Sequence, residues 1–256
     1  MIKILSIFTV LLTLLSCTKK AESDRDHLVF RYNEHGNIPT LDPAFARNPQ
    51  AIWPDNQLYN GLVQLDDSLN IKPDIAQSWV IDDSTNTYTF SLRNDVYFHQ
   101  NVAFAKMNPD VLPRYTRKVI ASDFVYSFDR LTDEKVASSG SWVMNYVEKY
   151  WAEDDHTFAI RLKQPFPAFL GLLSMRYCSV VPREAVEFYG NEFRSNPVGT
   201  GPFQFKMWEE NVELVFRKNP LYFERDENGE RLPYLEAVAI TFLPDKQSEF
   251  LQFAQG

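Results

Sequence analysis

The chain has 256 residues, of which 45% are hydrophobic and 23% charged, and its formal net charge is −8. That balance marks a globular chain and excludes a disordered one, and the excess of acid excludes nucleic-acid binding, which needs a basic footprint. The only two cysteines, Cys17 and Cys178, exclude metal and redox motifs built on cysteine pairs.

Met1-Ile2-Lys3 gives a short, positively charged start, and Ile4 to Leu15 is apolar apart from Ser6, Thr9 and Thr13. This run is too short for a bilayer core, which needs about 20 apolar residues. It has the length of a signal-peptide core, about 7–15 residues. Leu14-Leu15-Ser16-Cys17 resembles the lipobox of bacterial lipoproteins. The resemblance implies that the Cys17 thiol receives a diacylglyceryl group and that Cys17 becomes the first mature residue. Two acyl chains suffice for stable anchoring, where one binds reversibly. The competing reading is an ordinary secretory signal with a chance cysteine. Residues 1–17 thus read as a lipoprotein signal and 18–27 as a polar tether. No later apolar stretch reaches spanning length.

Leu28 to Tyr32 reads as a strand. Pro39 to Pro43 reads as a turn with a capping-type aspartate, Asp42. Gln57 to Val63 is expected to be a short helix or turn ending near Gly61. Trp79-Val80-Ile81 and Thr87 to Leu92 flank a polar turn and predict a hairpin. In its second arm Tyr88, Phe90 and Leu92 alternate with Thr89, Ser91 and Arg93, so one face is buried. Ala121 opens a helix with Phe124, Val125, Phe128 and Leu131 at helical spacing and Ser122 or Asp123 as its cap. A second hairpin joins Trp151-Ala152 to Thr157–Leu162. Ala168 to Met175 and Arg183 to Tyr189 are expected helices, the latter stopped by Gly190. Phe203–Trp208 and Glu213–Arg217 form another strand pair, Val238–Leu243 is a strand, and Glu249–Phe253 begins a helix.

The usual catalytic strings, G-x-S-x-G, Walker A and H-E-x-x-H, do not occur. His27, His35, His99 and His156 are scattered, as surface or satisfied core histidines are. Asp226-Glu227-Asn228-Gly229 lacks the alternating acids of a calcium loop and reads as a hairpin turn, since Asn-Gly favours positive φ. Cys178 lies in an apolar run and reads as core packing.

Eight strings stand in order along the rest of the chain. They are Thr40-Leu41-Asp42-Pro43, Leu58-Tyr59-Asn60-Gly61-Leu62-Val63, Pro73-Asp74-Ile75-Ala76-Gln77-Ser78-Trp79 and Tyr88 to Arg93. The others are Val96-Tyr97-Phe98-His99, Ala121 to Phe128, Asn196-Pro197-Val198-Gly199-Thr200-Gly201-Pro202-Phe203 and Lys218 to Phe223. Together they resemble the family 5 extracellular solute-binding proteins of ABC importers, of oligopeptide- and dipeptide-binding type. Phe98-His99-Gln100-Asn101 departs from the family's usual Phe-His-Asp-Gly, and an insert follows from about Val102 to Arg117.

The resemblance implies a mixed α/β (α+β) fold of periplasmic-binding-protein type II-like lobes, with mixed sheets and β-hairpins. Residues 28–64 would begin lobe I, 65–190 would form a second lobe, and 191–256 would return to lobe I. The family's members run to roughly twice this length, so the expectation is an N-terminal half, incomplete at the C-terminus, with most ligand contacts in the part that follows. The implied function is a receptor, not an enzyme, that captures short peptides between hinged lobes and delivers them to an ABC permease. It would work as a monomer without cofactor or metal, on the periplasmic side of a bacterial envelope, tied by its lipid to the cytoplasmic or outer membrane. Family relatives of the nickel-chelate, haem or oligosaccharide type are the first alternative, and a truncated, non-transporting envelope lipoprotein is the second. The implied ligand contacts are Ala46, Arg47 and Asn48 after the Leu41-Asp42-Pro43 turn, the aromatic Trp142, and Thr200 in the glycine string, which also reads as a framework turn.

Overall fold

A computed structural model describes residues 28–105 and 113–255. The expected anchor at Cys17, the expected signal 1–17 and the expected tether 18–27 lie outside the described residues, as do 106–112 of the insert.

In chain order the regular elements begin with β1 (Val29–Asn33), α1 (Pro49–Leu58), β2 (Val63–Leu65), β3 (Ile71–Pro73), β4 (Ala76–Asp82), β5 (Thr87–Leu92) and α2 (Ala121–Thr132). They continue with β6 (Val147–Asp154), β7 (Thr157–Leu162), α3 (Phe169–Leu173), α4 (Arg183–Tyr189), β8 (Phe203–Glu209), β9 (Glu213–Lys218), β10 (Ala237–Thr241) and α5 (Lys246–Gln255). The fold is mixed α/β, as the family resemblance implies.

Two four-stranded sheets dominate, in the orders β1-β10-β9-β8 and β4-β5-β7-β6, with β2-β3 as a small ribbon. The second is fully antiparallel and made of the two expected hairpins. Its alternation works as read: Tyr88, Phe90 and Leu92 of β5 are buried, with Phe158, Ile160 and Leu162 of β7 beside them. Helix α2 covers that face, setting Phe124 and Phe128 each 5.6 Å from the Phe158 ring. Such contacts orient rings as well as burying them. In the first sheet β1 runs parallel to β10, pairing Val29 with Ala237. The buried side chains form one continuous cluster that reaches from Ile38 to Phe242 and includes both sheets.

Three local expectations need correction. The helix placed at Gln57–Val63 is instead α1, which starts at Pro49 and ends at Leu58. Asn48 accepts from the Ala51 N–H at 3.0 Å and caps it, and Pro49 fits the first turn, where no N–H is needed. Helix α2 is capped at Ile120, not Ser122 or Asp123; the Asp123 carboxylate reaches back to the Ile120 N–H at 2.9 Å. Helix α5 begins at Lys246, ahead of Glu249. Other readings hold. Gly190 ends α4 with φ of 52°, and Asp226 to Gly229 is a tight turn in which Gly229 has φ of 82°.

Candidate ligand-binding groove

The site is built on the C-terminal end of α1. Its Leu58 carbonyl accepts the Gly201 N–H at 2.9 Å. The glycine string passes so close here that a Cβ on Gly201 would fall 2.5 Å from the Gln57 carbonyl, and one on Gly199 would meet the Leu58 carbonyl. Only glycine allows that approach. His99 staples the same string from the other side. Its N–H donates to the Gly199 carbonyl at 2.7 Å, its Nδ1 accepts from the Gly199 N–H at 3.2 Å, and its Nε2 donates to the Gly201 carbonyl at 3.1 Å. Those partners require a neutral ring protonated on Nε2, and burial lowers its pKa to about 4.

Asn60 and Asp74 complete a polar knot. Asp74 accepts from Asn60 Nδ2 at 2.9 Å and from the Gly61 N–H at 3.0 Å. Thr200 Oγ1 donates to Asn60 Oδ1 at 3.0 Å, and Asn219 Nδ2 donates to the Gly201 carbonyl at 2.8 Å. Burial pushes the Asp74 carboxyl up to about 7, against the opposing pull of the Arg176 charge and of the Gly61 and Asn60 hydrogen bonds. The knot therefore joins residues from five of the eight strings.

Above the knot lies an open groove of about 690 Å³. Ala46, Ile52, Asn56, Met175, Arg176 and Tyr177 line it together with Asn60 and Asp74 of the knot. Ile52 and Asn56 are four residues apart on α1 and so share a face. Arg176 is partly buried; its Nη1 donates to the Tyr59 carbonyl at 2.9 Å and its Nη2 to the Ser174 carbonyl at 3.4 Å. Below it, Asp55 of α1 is fully buried and neither carboxylate oxygen has a partner. Burial drives its pKa well above the carboxylate range, and Asp42 adds to this while Arg176 opposes it. Such a group is held as the neutral acid. Asp42 itself is paired with Arg130 at 2.7 Å.

The sequence-derived contacts fall in different places. Ala46 lines the groove. Arg47 is exposed beside it, and the Asn48 side chain is spent on the α1 cap. Thr200 is buried beneath the groove with its hydroxyl on Asn60. Trp142 is 40% exposed and does not line the groove; it stands two residues after Gly140, where an added Cβ would fall 2.4 Å from the Tyr177 ring. Sequence reasoning passed over Ile52, Asn56, Asp74, Met175 and Arg176. One signal for Arg176 was there to be used: a lone cation inside the apolar run that ends at Val181. Cys178 in the same run is a buried free thiol, raised to about 12 by burial, as packing implies.

Residues 70–256 match the profile of the bacterial extracellular solute-binding proteins, family 5. The glutathione-binding protein GsiB of Escherichia coli O1:K1 is 28% identical over 220 residues, which are 86% of this chain and 39% of that protein. The chain thus spans about two fifths of the length of this curated relative. Among solved structures, the DppA periplasmic binding protein of Helicobacter pylori, in complex with the peptide STSA, superposes with a TM-score of 0.77 at 26% identity, covering 89% of this chain and 45% of that one. MoaA of Agrobacterium tumefaciens R10, in complex with mannopinic acid, gives 0.73 at 27%, covering 89% and 43%. The family is one of solute-binding proteins and not of enzymes. With most of its length matched to the family profile and its fold shared with those structures, the chain belongs to the family 5 bacterial extracellular solute-binding proteins.

Proposed function

We propose that this chain forms one wall of the solute site of an ABC-importer receptor, and that its solute is a short peptide passed on to a membrane permease. The observation that carries the reading is the groove over the knot. Its volume of about 690 Å³ falls in the range of small-ligand sites, about 300–1,000 Å³. Its walls combine exposed apolar carbons, from Ile52 and Met175, with polar groups from Asn56 and Arg176. An extended peptide is held mainly through its main chain and would close between this wall and a hinged opposing lobe. The peptide STSA bound by the Helicobacter DppA structure supports this choice of solute.

The lobe division belongs to the same proposal, with 28–64 and 191–256 in one lobe and 65–190 in a second. Sheet membership supports it, since β1 and β8–β10 share one sheet while β4–β7 share the other. Ala46, Arg47 and Asn48 would offer backbone groups at the groove's rim, Trp142 would flank its outer edge, and Thr200 would hold its base. Anchoring through lipid on Cys17, on the periplasmic side, would raise the receptor's effective concentration at its permease. The receptor would act as a monomer.

A melting screen of the native protein against di- to pentapeptides tests the reading. A peptide present at 100 times its Kd should stabilise the fold by about 2.7 kcal/mol. A shift with a nickel chelate and with no peptide would replace the peptide by the chelate. Fatty-acid labelling that is lost in Cys17→Ser would establish the anchor, and labelling that survives the substitution would remove it.

A further inference from the structure

The insert that departs from the family pattern leaves apolar surface open in one place. Val102, Tyr115 and Phe188 are 57%, 55% and 58% exposed, and Asn101 gathers them. Its N–H donates to the Tyr115 carbonyl at 2.8 Å, its Oδ1 accepts from the Tyr189 hydroxyl at 3.1 Å, and Val102 follows it in the chain. The Phe188 ring meets the Tyr189 ring edge to face at 4.9 Å. Phe188 also stands one turn beyond Glu184 on α4, on the face where Glu184 accepts from Arg117. Three exposed apolar side chains from two segments thus share one patch, and such patches mark contact surfaces.

The charge beside the patch runs against that of the chain, which is −8 in total. Arg114 and Lys118 are exposed before and after Tyr115, and neither has an ion pair among the described residues. Lys118 lies 5.8 Å from the centre of the Tyr97 ring. The nearby acids are engaged elsewhere. Asp123 and Glu184 hold Arg117, and Glu187 stands one turn from Arg183, both of them near Tyr126 of α2. Aromatic and aliphatic carbon bordered by cations suits the headgroup layer of an anionic membrane. There apolar groups enter the acyl boundary and cations meet phosphate.

The chain's own attachment points the same way. Val29 of β1 shares a row with Ala237, Arg217 and Gln204, so β1 starts at the end of its sheet where β8 starts. At that end His99, two residues before Asn101, holds the Gly201 carbonyl. Four strands set β1 and β8 about 14 Å apart. The ten residues 18–27 between Cys17 and Leu28 can span at most about 36 Å. A body tied at Cys17 therefore keeps this end within reach of the bilayer. We propose that the patch of Val102, Tyr115 and Phe188 docks on the anionic lipid surface to which the chain is tied, with Arg114 and Lys118 on phosphate, and so fixes which way the groove points. The inference rests on the anchor proposed above and adds an orientation to it.

Native lipidated protein in vesicles tests it, with a fluorophore on Val102→Cys and, as a control, on Val80→Cys of β4, which is 71% exposed. The buried Cys178 thiol stays unlabelled. In phosphatidylglycerol-rich vesicles, lipids with brominated acyl chains should quench the label at position 102 and leave the one at position 80 bright. The quenching should fade in pure phosphatidylcholine and in about 1 M salt, where charges are screened within about 3 Å. Arg114→Gln and Lys118→Gln should each lower the ratio of docked to undocked protein about fivefold, with melting curves unchanged. Protein that floats with the vesicles but shows no quenching at 102, or equal quenching at both positions, overturns the docking and leaves the anchor standing. Self-association that Phe188→Ser abolishes would give the patch to a second copy instead. Protein that does not float overturns the anchor and this inference with it.

Discussion

In the knot beneath the groove, Asn60, Asp74, His99, Thr200 and Asn219 all have hydrogen-bond partners within the fold. On the groove wall a few residues away, Arg176 keeps donors open and Ile52 and Met175 leave carbon exposed. The two regions touch through Tyr59 and Asn60, and they differ in what they leave unsatisfied. Where every polar atom is matched, side chains hold the backbone in one shape. Where donors and apolar surface are left over, a molecule from outside can add something. The knot is therefore framework, and the wall is the surface proposed for recognition.

That contrast can be broken most violently in the knot. Gly201→Ala would drive a Cβ into the Gln57 and Leu58 backbone, which cannot swing aside. We expect a loss of about 3 kcal/mol or more in urea unfolding, the upper range for overpacking. A tolerated alanine, with unchanged midpoint, would mean that the string is looser than its contacts imply. Thr200→Val keeps the shape but strips the donor from buried Asn60 Oδ1, at an expected cost of about 2 kcal/mol.

Protons sharpen the comparison further. Asp74 rises from 3.8 to about 7 on folding. The folded chain then holds a proton that the unfolded chain releases, so this group's contribution falls as pH rises from about 4 to 7. His99 drops from 6.5 to about 4. Here the unfolded chain takes the proton first, so stability is lost as pH falls below 6.5. The two slopes oppose each other between about pH 4 and 6.5. Asp74→Asn removes one of them, and its stability relative to wild type should climb by about 1.4 kcal/mol per pH unit across that window. A flat difference would mean that Asp74 titrates at its ordinary value. The wall should respond least: Met175→Ala should change stability by less than about 0.5 kcal/mol, while weakening solute binding in calorimetry.

Much of the fold was legible because its signals are local. The alternation in Tyr88–Leu92, the spacing of Phe124, Phe128 and Leu131, and the stop at Gly190 each depend on a few consecutive residues. Helix α1 was misplaced because its cap, Asn48, sits before two prolines, Pro49 and Pro54, that locally argue against a helix. The Ile120 cap was missed because the side chain that satisfies it belongs to Asp123, three residues on. The glycine string announced itself in sequence because close backbone packing demands glycine. The groove wall did not, because an open arginine, an isoleucine and a methionine are ordinary residues until their neighbours are known. Trp142 was chosen as the aromatic in a segment that resembles a cleft wall of the family, and it is not among the residues that line this groove.

The parallel pairing of β1 with β10 has a consequence for synthesis. Val29 leaves the ribosome early, yet its partner Ala237 follows about 200 residues later. At about 5–20 residues per second, that interval is roughly 10–40 s. The hairpins of β4–β7 need only nearby residues and can close within it. Strand β1, with Phe30 on its surface, must stay unpaired for the whole time. A chaperone that binds the nascent chain should be crosslinked at Phe30 early and released once β10 emerges.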